Sequence, residues 1–531
     1  MLNTQVSPGN PPDSIPMSDA ASQESRWKTW FWLGSLPSSR NLLVAFFLLT
    51  VAVLFFYRPF SQTEVGDSAL YDYIAQSIVR GQVPYKDVID IKAPGSFYLS
   101  ALAMETGRVV GIRDIIAARL LHMLLLGLLS VVVYLVAETY LRNRFAAVLA
   151  VLYLLTSQSV ALWTVGGGQP KLPMILLGML TLLLIAKDRP FLAGVCSMLS
   201  CLCWQPGLLF TGVAFLVASR YLTTWRDLRA LKVVAGAAIP LAATLVYFLW
   251  RGALGDLWTW TVVFNYSVYA RNAIGVEGDS LSHAMGVTQK IFGADLVLVA
   301  LSLVGFVWFA IQRVRDRVRT GGFQSPDLFR DAIIIAPIVY LAACFVRFNG
   351  GPYLLPFFPF IGIFFGWFTV ELVRLLKKTR FAGRLNVELL ARAVLVLMLG
   401  VIAYRAVSYR LFEYFVPLQT QDKSFETIST RLSESDAIYV HGTSELLIFL
   451  NRPNLNPYIL LDWGKDDFIA AKDYGGSFAA LVDEIESSAP KVIALSRLQR
   501  VLHRDELKRL VENYDRLDLK GGYEIYVRRQ Q

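Results

Sequence analysis

Between two apolar runs, residues 65–98 read VGDSALYDYIAQSIVRGQVPYKDVIDIKAPGSFY and gather the groups best suited to chemistry. Asp67, Asp72, Asp87 and Asp90 lie there with Arg80, Lys86 and Lys92, among the turn formers Gly81, Pro84, Pro94 and Gly95. A carboxylate in such company can act as general base on a hydroxyl, while a nearby ammonium neutralises a departing phosphate. Asp67 is the candidate base and Lys92 the candidate phosphate ligand; Asp90 either orients Lys92 or hydrogen-bonds a sugar. The combination suits transfer of a group from a phosphate-linked lipid. The plain alternative is a solvated connecting loop. Against it, Tyr71, Tyr73, Ile74, Ile78, Phe97, Tyr98, Leu99 and Leu102 recur at near-helical spacing. That spacing predicts short amphipathic helices lying at the membrane surface.

The elements that position these residues follow from composition. The 531 residues are 55% hydrophobic with mean hydropathy +0.47. Repeated apolar runs of bilayer-crossing length predict a polytopic α-helical membrane protein. The net charge of +10 sits beside those runs, as orientation signals do, so the bilayer and not nucleic acid is the expected partner. Neither Cys196, Cys201, Cys203 and Cys344 nor the four scattered histidines have zinc-ligand spacing. No disulfide or metal cage is therefore expected.

About eleven spans are expected, near residues 41–57, 114–136, 145–163, 172–186, 191–203, 207–219, 233–250, 294–311, 332–346, 353–373 and 391–409. The halves around Trp204-Gln205-Pro206 fall short of the ~17 residues a crossing usually needs. With both counted, every cation-rich connector falls on one side, including Arg142 with Arg144 and the run Arg313, Arg315, Arg317 and Arg319. The positive-inside rule then makes that side cytosolic in a plasma (inner) membrane. Residues 1–25 become a disordered cytosolic tail and residues 26–410 the membrane domain, with outer loop 58–113. Residues 411–531 become an extracytoplasmic domain. In it, strands are expected at 437–440, 491–495 and 523–527, and helices at 444–450, 478–487 and 504–514, which argues a small α/β unit serving as cap or docking module.

Other outer connectors offer partners. Gly166-Gly167-Gly168-Gln169-Pro170-Lys171 either lets backbone approach a ligand or is a plain helix–helix turn. Arg347, on the connector that ends at Tyr353, either meets an anionic lipid head or snorkels. Aromatics such as Trp258, Trp260, Tyr266 and Tyr269, near Arg271, fit an interface belt better than a sugar platform. His122, inside a span, reads as a packed core residue.

The stretch GDSALYDYIAQSIVRGQVPYKDVIDIKAPGSFYL resembles the first outer loop of the GT-C membrane glycosyltransferases. It is most similar to bacterial relatives of protein O-mannosyltransferases and of the lipid A aminoarabinose transferase. Asp67, Gly81, Pro84-Tyr85, Asp87, Asp90, Lys92 and Pro94-Gly95 match the pattern in order. Gln205-Pro206 resembles a Lys-Gln segment, and Pro352-Tyr353 with Pro356 and Pro359 a His-Tyr…Pro-Pro segment. The departures are Ser68 for a second acid, Gln169 for a loop acid, Trp204 for Lys and Pro352 for His. They tell against a two-carboxylate or metal-assisted variant.

The resemblance implies a sugar donor on a polyprenyl phosphate at the outer leaflet, no required cofactor, and a glycolipid, polysaccharide or protein acceptor. Tyr85, Gln169, Lys171 and Gln205 become substrate-binding candidates, and Arg347 and Tyr353 join Lys92 and Asp90 as donor ligands. A transporter of lipid-linked saccharides and a non-catalytic envelope scaffold stand as the other readings.

Overall fold

The computed structural model describes residues 39–219, 228–269, 280–319, 328–346, 350–378, 387–414, 416–519 and 523–529. Each of the eleven expected apolar stretches is helical there. Among the described residues, five helices are long and apolar enough to cross a membrane: Asp114–Leu141, Arg229–Trp250, Met285–Arg319, Gly351–Lys377 and Leu389–Phe412. A sixth forms if Arg144–Thr156 and Gln158–Val165, bent by 63°, count as one. The shorter apolar helices are Arg40–Phe56, Lys171–Ala186, Pro190–Cys203 and Gln205–Ser219. The chain is a multi-pass membrane protein.

The short pair around Gln205 is a hairpin. Thr211 Oγ1 donates to Ser197 Oγ at 2.9 Å, and Gly207 lies so close to the Ser200 backbone that a Cβ would approach it to 2.4 Å. Two antiparallel helices therefore meet at a turn that carries Gln205. Helix Pro190–Cys203 also packs backbone to backbone on Arg229–Trp250. A Cβ on Gly194 would stand 2.1 Å from the Val233 carbonyl oxygen, and one on Gly236 would stand 2.0 Å from that of Phe191. Small residues permit such contact where no hydrophobic force drives helices together.

Loop 58–113 contains helices Gly66–Val79 and Gly95–Val109. The first does not lie one-faced on a surface: Ser68 through Ser77 are all buried. The physical reason is that the region after residue 416 closes over it. Asn454 N donates to Tyr73 Oη at 2.8 Å, Ile89 N to the Pro457 carbonyl at 3.1 Å, and Leu418 N to the Ser61 carbonyl at 2.8 Å. Gln421 pairs with the Glu64 backbone twice, at 2.9 and 2.7 Å, and Arg113 forks onto Asp422 at 2.9 and 2.7 Å.

That C-terminal region holds a four-stranded sheet ordered β1-β2-β4-β3, with β1 Ile438–His441, β2 Val492–Leu495, β3 Tyr514–Arg516 and β4 Ile525–Arg528. β1 and β2 are parallel and fully buried, which requires the helical crossover between them. β4 returns antiparallel between β2 and β3. The helix expected at 504–514 stops at Arg509, because Tyr514 starts strand β3. In open α/β sheets the carboxyl ends of parallel strands face the ligand. Here those ends carry His441 and, just beyond β2, Arg497.

Candidate functional site

Helix Gly66–Val79 starts with Gly66 at φ +71° and has no side-chain cap from Val65. Its free N–H groups and dipole favour a carboxylate in the first turn, which is where Asp67 lies. Asp67 has 49% of its side chain accessible, and the groups gathered around it are taken here as one recess. Burial opposes its charge, but Lys92, Lys171 and Arg497 outweigh burial and hold the carboxyl below its usual range.

Lys92 is fixed by the fold of its own loop. Asp90, buried, accepts from Lys92 N at 2.8 Å and stands 3.9 Å from Nζ. Tyr85, at φ +71°, donates its hydroxyl to the Lys92 carbonyl at 2.6 Å. The Ile91 carbonyl receives both Gln205 Nε2 and Asn265 Nδ2 at 2.7 Å. Burial works against the Lys92 charge, yet Asp90, Tyr71 and Asp67 raise its pKa well above that of a free lysine. The group stays an ammonium.

A second ammonium shares the same aromatic floor. Lys92 Nζ is 5.2 Å and Lys171 Nζ 5.7 Å from the Tyr71 ring centroid, and Lys171 is also 5.4 Å from that of Trp204. Lys171 lies in the field of Lys92, Asp67 and Asp90. Trp204 meets Tyr353 edge-on at 5.0 Å, and the Tyr353 carbonyl accepts from Tyr340. Around the recess Lys92, Lys171 and Arg497 face Asp67 and Asp90, a surplus of cations that suits an anionic ligand.

The other expected residues divide. Tyr85 and Gln205 spend their polar atoms on the Lys92 loop and so act on it from within. Gln169 is buried behind Asp67, donating Nε2 to Ser68 Oγ at 2.9 Å and backbone N–H to His122 Nε2 at 2.9 Å. His122 is thus a packed, bonded residue. Arg347 and Arg271 lie outside the described residues. Among the described residues no cluster of three His, Cys, Asp or Glu side chains is placed to hold a metal ion.

Sequence reasoning missed Arg497, whose Nη1 is 3.5 Å from Asp67 Oδ1 across 430 positions of chain. It also missed Asn265 and the ion pair of Arg119 Nη2 with Glu64 Oε2, at 2.7 Å with both side chains wholly buried.

No family model matches the sequence. Among solved structures, ArnT from Cupriavidus metallidurans bound to undecaprenyl phosphate aligns with TM-score 0.60 at 12% identity, over 92% of this chain and 98% of that one. The Archaeoglobus fulgidus oligosaccharyltransferase in the apo form gives 0.55 at 13%, over 95% and 75%. AglB from that organism, in complex with an inhibitory peptide and a dolichol-phosphate, gives 0.56 at 11%, over 92% and 74%. A dolichol phosphate-mannose mannosyltransferase of Haloferax volcanii is 26% identical over 198 residues, 36% of this chain. The match spans about two fifths (41%) of that relative's length. At these identities the likeness is one of fold: the chain shares its architecture with ArnT and the archaeal oligosaccharyltransferase.

Proposed function

We propose that this GT-C-fold membrane protein is a glycosyltransferase that moves a sugar from a polyprenyl-phosphate donor to an envelope acceptor on the extracytoplasmic face. The observation that carries the reading is the juxtaposition of Asp67, held ionised, with Lys92, Lys171 and Arg497. Asp67 takes the proton from the acceptor hydroxyl. That oxygen attacks the anomeric carbon, and the bond from this carbon to the phosphate oxygen breaks with its electron pair. The polyprenyl phosphate leaves with inversion at the sugar carbon. Lys92, with Lys171 beside it, neutralises the departing charge, and Asp90 keeps Lys92 aimed. The chemistry needs few groups, because the lipid tail supplies binding energy that positions the reacting carbon.

The N-terminus and the cation-rich connectors face the cytosol in this reading, and the sheet domain faces out. The fold, and its likeness to proteins seen bound to undecaprenyl phosphate or dolichol-phosphate, support it; the residue roles rest on the geometry above. The test is transfer from a polyprenyl-phosphate sugar by reconstituted protein. Asp67→Asn should lower the rate by roughly 10²–10⁴-fold with expression unchanged. A wild-type rate in Asp67→Asn, or flux of lipid-linked sugar without a covalent product, would overturn the reading.

A further inference from the structure

We propose that Arg497 is a movable counter-ion: it pairs with Asp67 until donor enters and then passes to the donor phosphate. Donor binding then also releases the base. The inference rests on the glycosyltransferase reading and adds to it a working residue supplied by the C-terminal sheet.

The contact that Arg497 makes is suited to exchange. A single Nη1 to Oδ1 approach of 3.5 Å, between side chains 30% and 49% accessible, is at the outer limit of a hydrogen bond and open to water. The guanidinium also lies over the uncapped N-terminus of helix Gly66–Val79, where a Cβ on Gly66 would come within 3.2 Å of Nη2. A cation facing that end of a dipole gains nothing from the helix. An anion between them would satisfy both.

The backbone that presents Arg497 is held under constraint. Its φ is +57°, a region that a non-glycine residue occupies only when its surroundings insist. The surroundings are two stitched loops. Ser496 N donates to the His441 carbonyl at 2.9 Å, and His441 Nδ1 meets the Ser496 carbonyl at 2.8 Å. Gly442 crosses Ser496 so closely that a Cβ would stand 2.5 Å from its Oγ. The loop is held on both sides, and the long side chain that leaves it is 30% accessible. Arg497 acts on Glu445 and His441 from its own side, and Lys92 and Lys171 act with it on Asp67. The same loop cluster reaches the other side of the recess: Asp462, bound to Lys465 at 2.9 Å, lies in the field of Lys92.

The test uses full-length protein, with a short polyprenyl phosphate as binding probe and the pH profile of transfer as second readout. Arg497→Gly suits a positive φ, so its melting temperature should hold or rise. Its affinity for polyprenyl phosphate should fall about tenfold or more, and Arg497→Lys should recover part of that. In wild type the acid limb of kcat should lie above that of kcat/KM, because Asp67 loses a neighbouring cation once donor is bound. In Arg497→Gly the limb of kcat/KM should rise to meet it. Wild-type affinity with unmoved limbs in Arg497→Gly would sink the counter-ion and leave the transferase standing. Wild type that binds the probe through Arg497 but transfers nothing would sink the transferase reading instead.

Discussion

Asp67 and Asp72 sit five residues apart on one helix and live in opposite worlds. Asp67 is half-exposed, loosely paired and surrounded by excess cations. Asp72 is wholly buried and faces Glu64 across Gly167, with Arg119 as the cation for both. Arg119 donates through its two terminal nitrogens to the carbonyls of Pro59, Gln62 and Thr63 as well as to Glu64. Burial, followed by the charge of Glu64, lifts the Asp72 carboxyl well above its usual range, while burial pushes Glu64 up to about 7. The lesson is that residue type does not assign the role. Loose pairing beside cations leaves the exposed acid ready to react, whereas full burial beside the Arg119–Glu64 ion pair makes Asp72 part of a clamp.

That contrast can be broken from the clamp side. Arg119→Leu removes the buried partner of Glu64 and should cost roughly 3–5 kcal/mol of stability, read as a collapse of the thermal transition in detergent. Asp67→Asn should lose activity while lowering that transition far less. If Arg119→Leu left the transition in place, the clamp would be no clamp.

Titration gives a smaller effect. A buried acid with a raised pKa binds its proton more tightly in the native than in the unfolded chain, so stability must fall as pH climbs. The decline should begin near the ordinary carboxyl range and continue past neutrality, by at most about 1.4 kcal/mol per pH unit for one proton. A melting temperature that rose across that window would contradict the assignment of the proton to Asp72. The smallest effect belongs to Asp72→Asn. It replaces an already neutral carboxyl, keeps an acceptor for Gly168 N, and should change stability at pH 7 by less than about 1 kcal/mol while flattening the pH slope. A loss as large as that of Arg119→Leu would mean that Asp72 is charged.

Much of the recess was legible because Asp67, Asp90 and Lys92 share one insert, and apolar run length marks the helices that carry it. The Gly166–Lys171 loop was also readable as a companion, though not that Lys171 would share the Tyr71 ring with Lys92. Arg497 was out of reach: an arginine in a short polar loop gives no local sign of a partner 430 positions away. That contact depends on the β1–β2 register and the stitched loops behind it, which are tertiary facts. The helix expected at 504–514 failed for a similar reason. Val511 and Tyr514 carry a helical period, but pairing with β4 captures Tyr514 for the sheet. Local pattern names an element, and strand pairing decides where it ends.

Gln421 grips the backbone of Glu64 from both sides, only three residues ahead of Asp67. The C-terminal sheet and the membrane helices therefore cannot be exchanged between homologues as independent cassettes. A chimera joined near residue 416 would inherit a mismatched grip and a foreign loop above the acid, and its turnover would report how well two lineages agree at that seam.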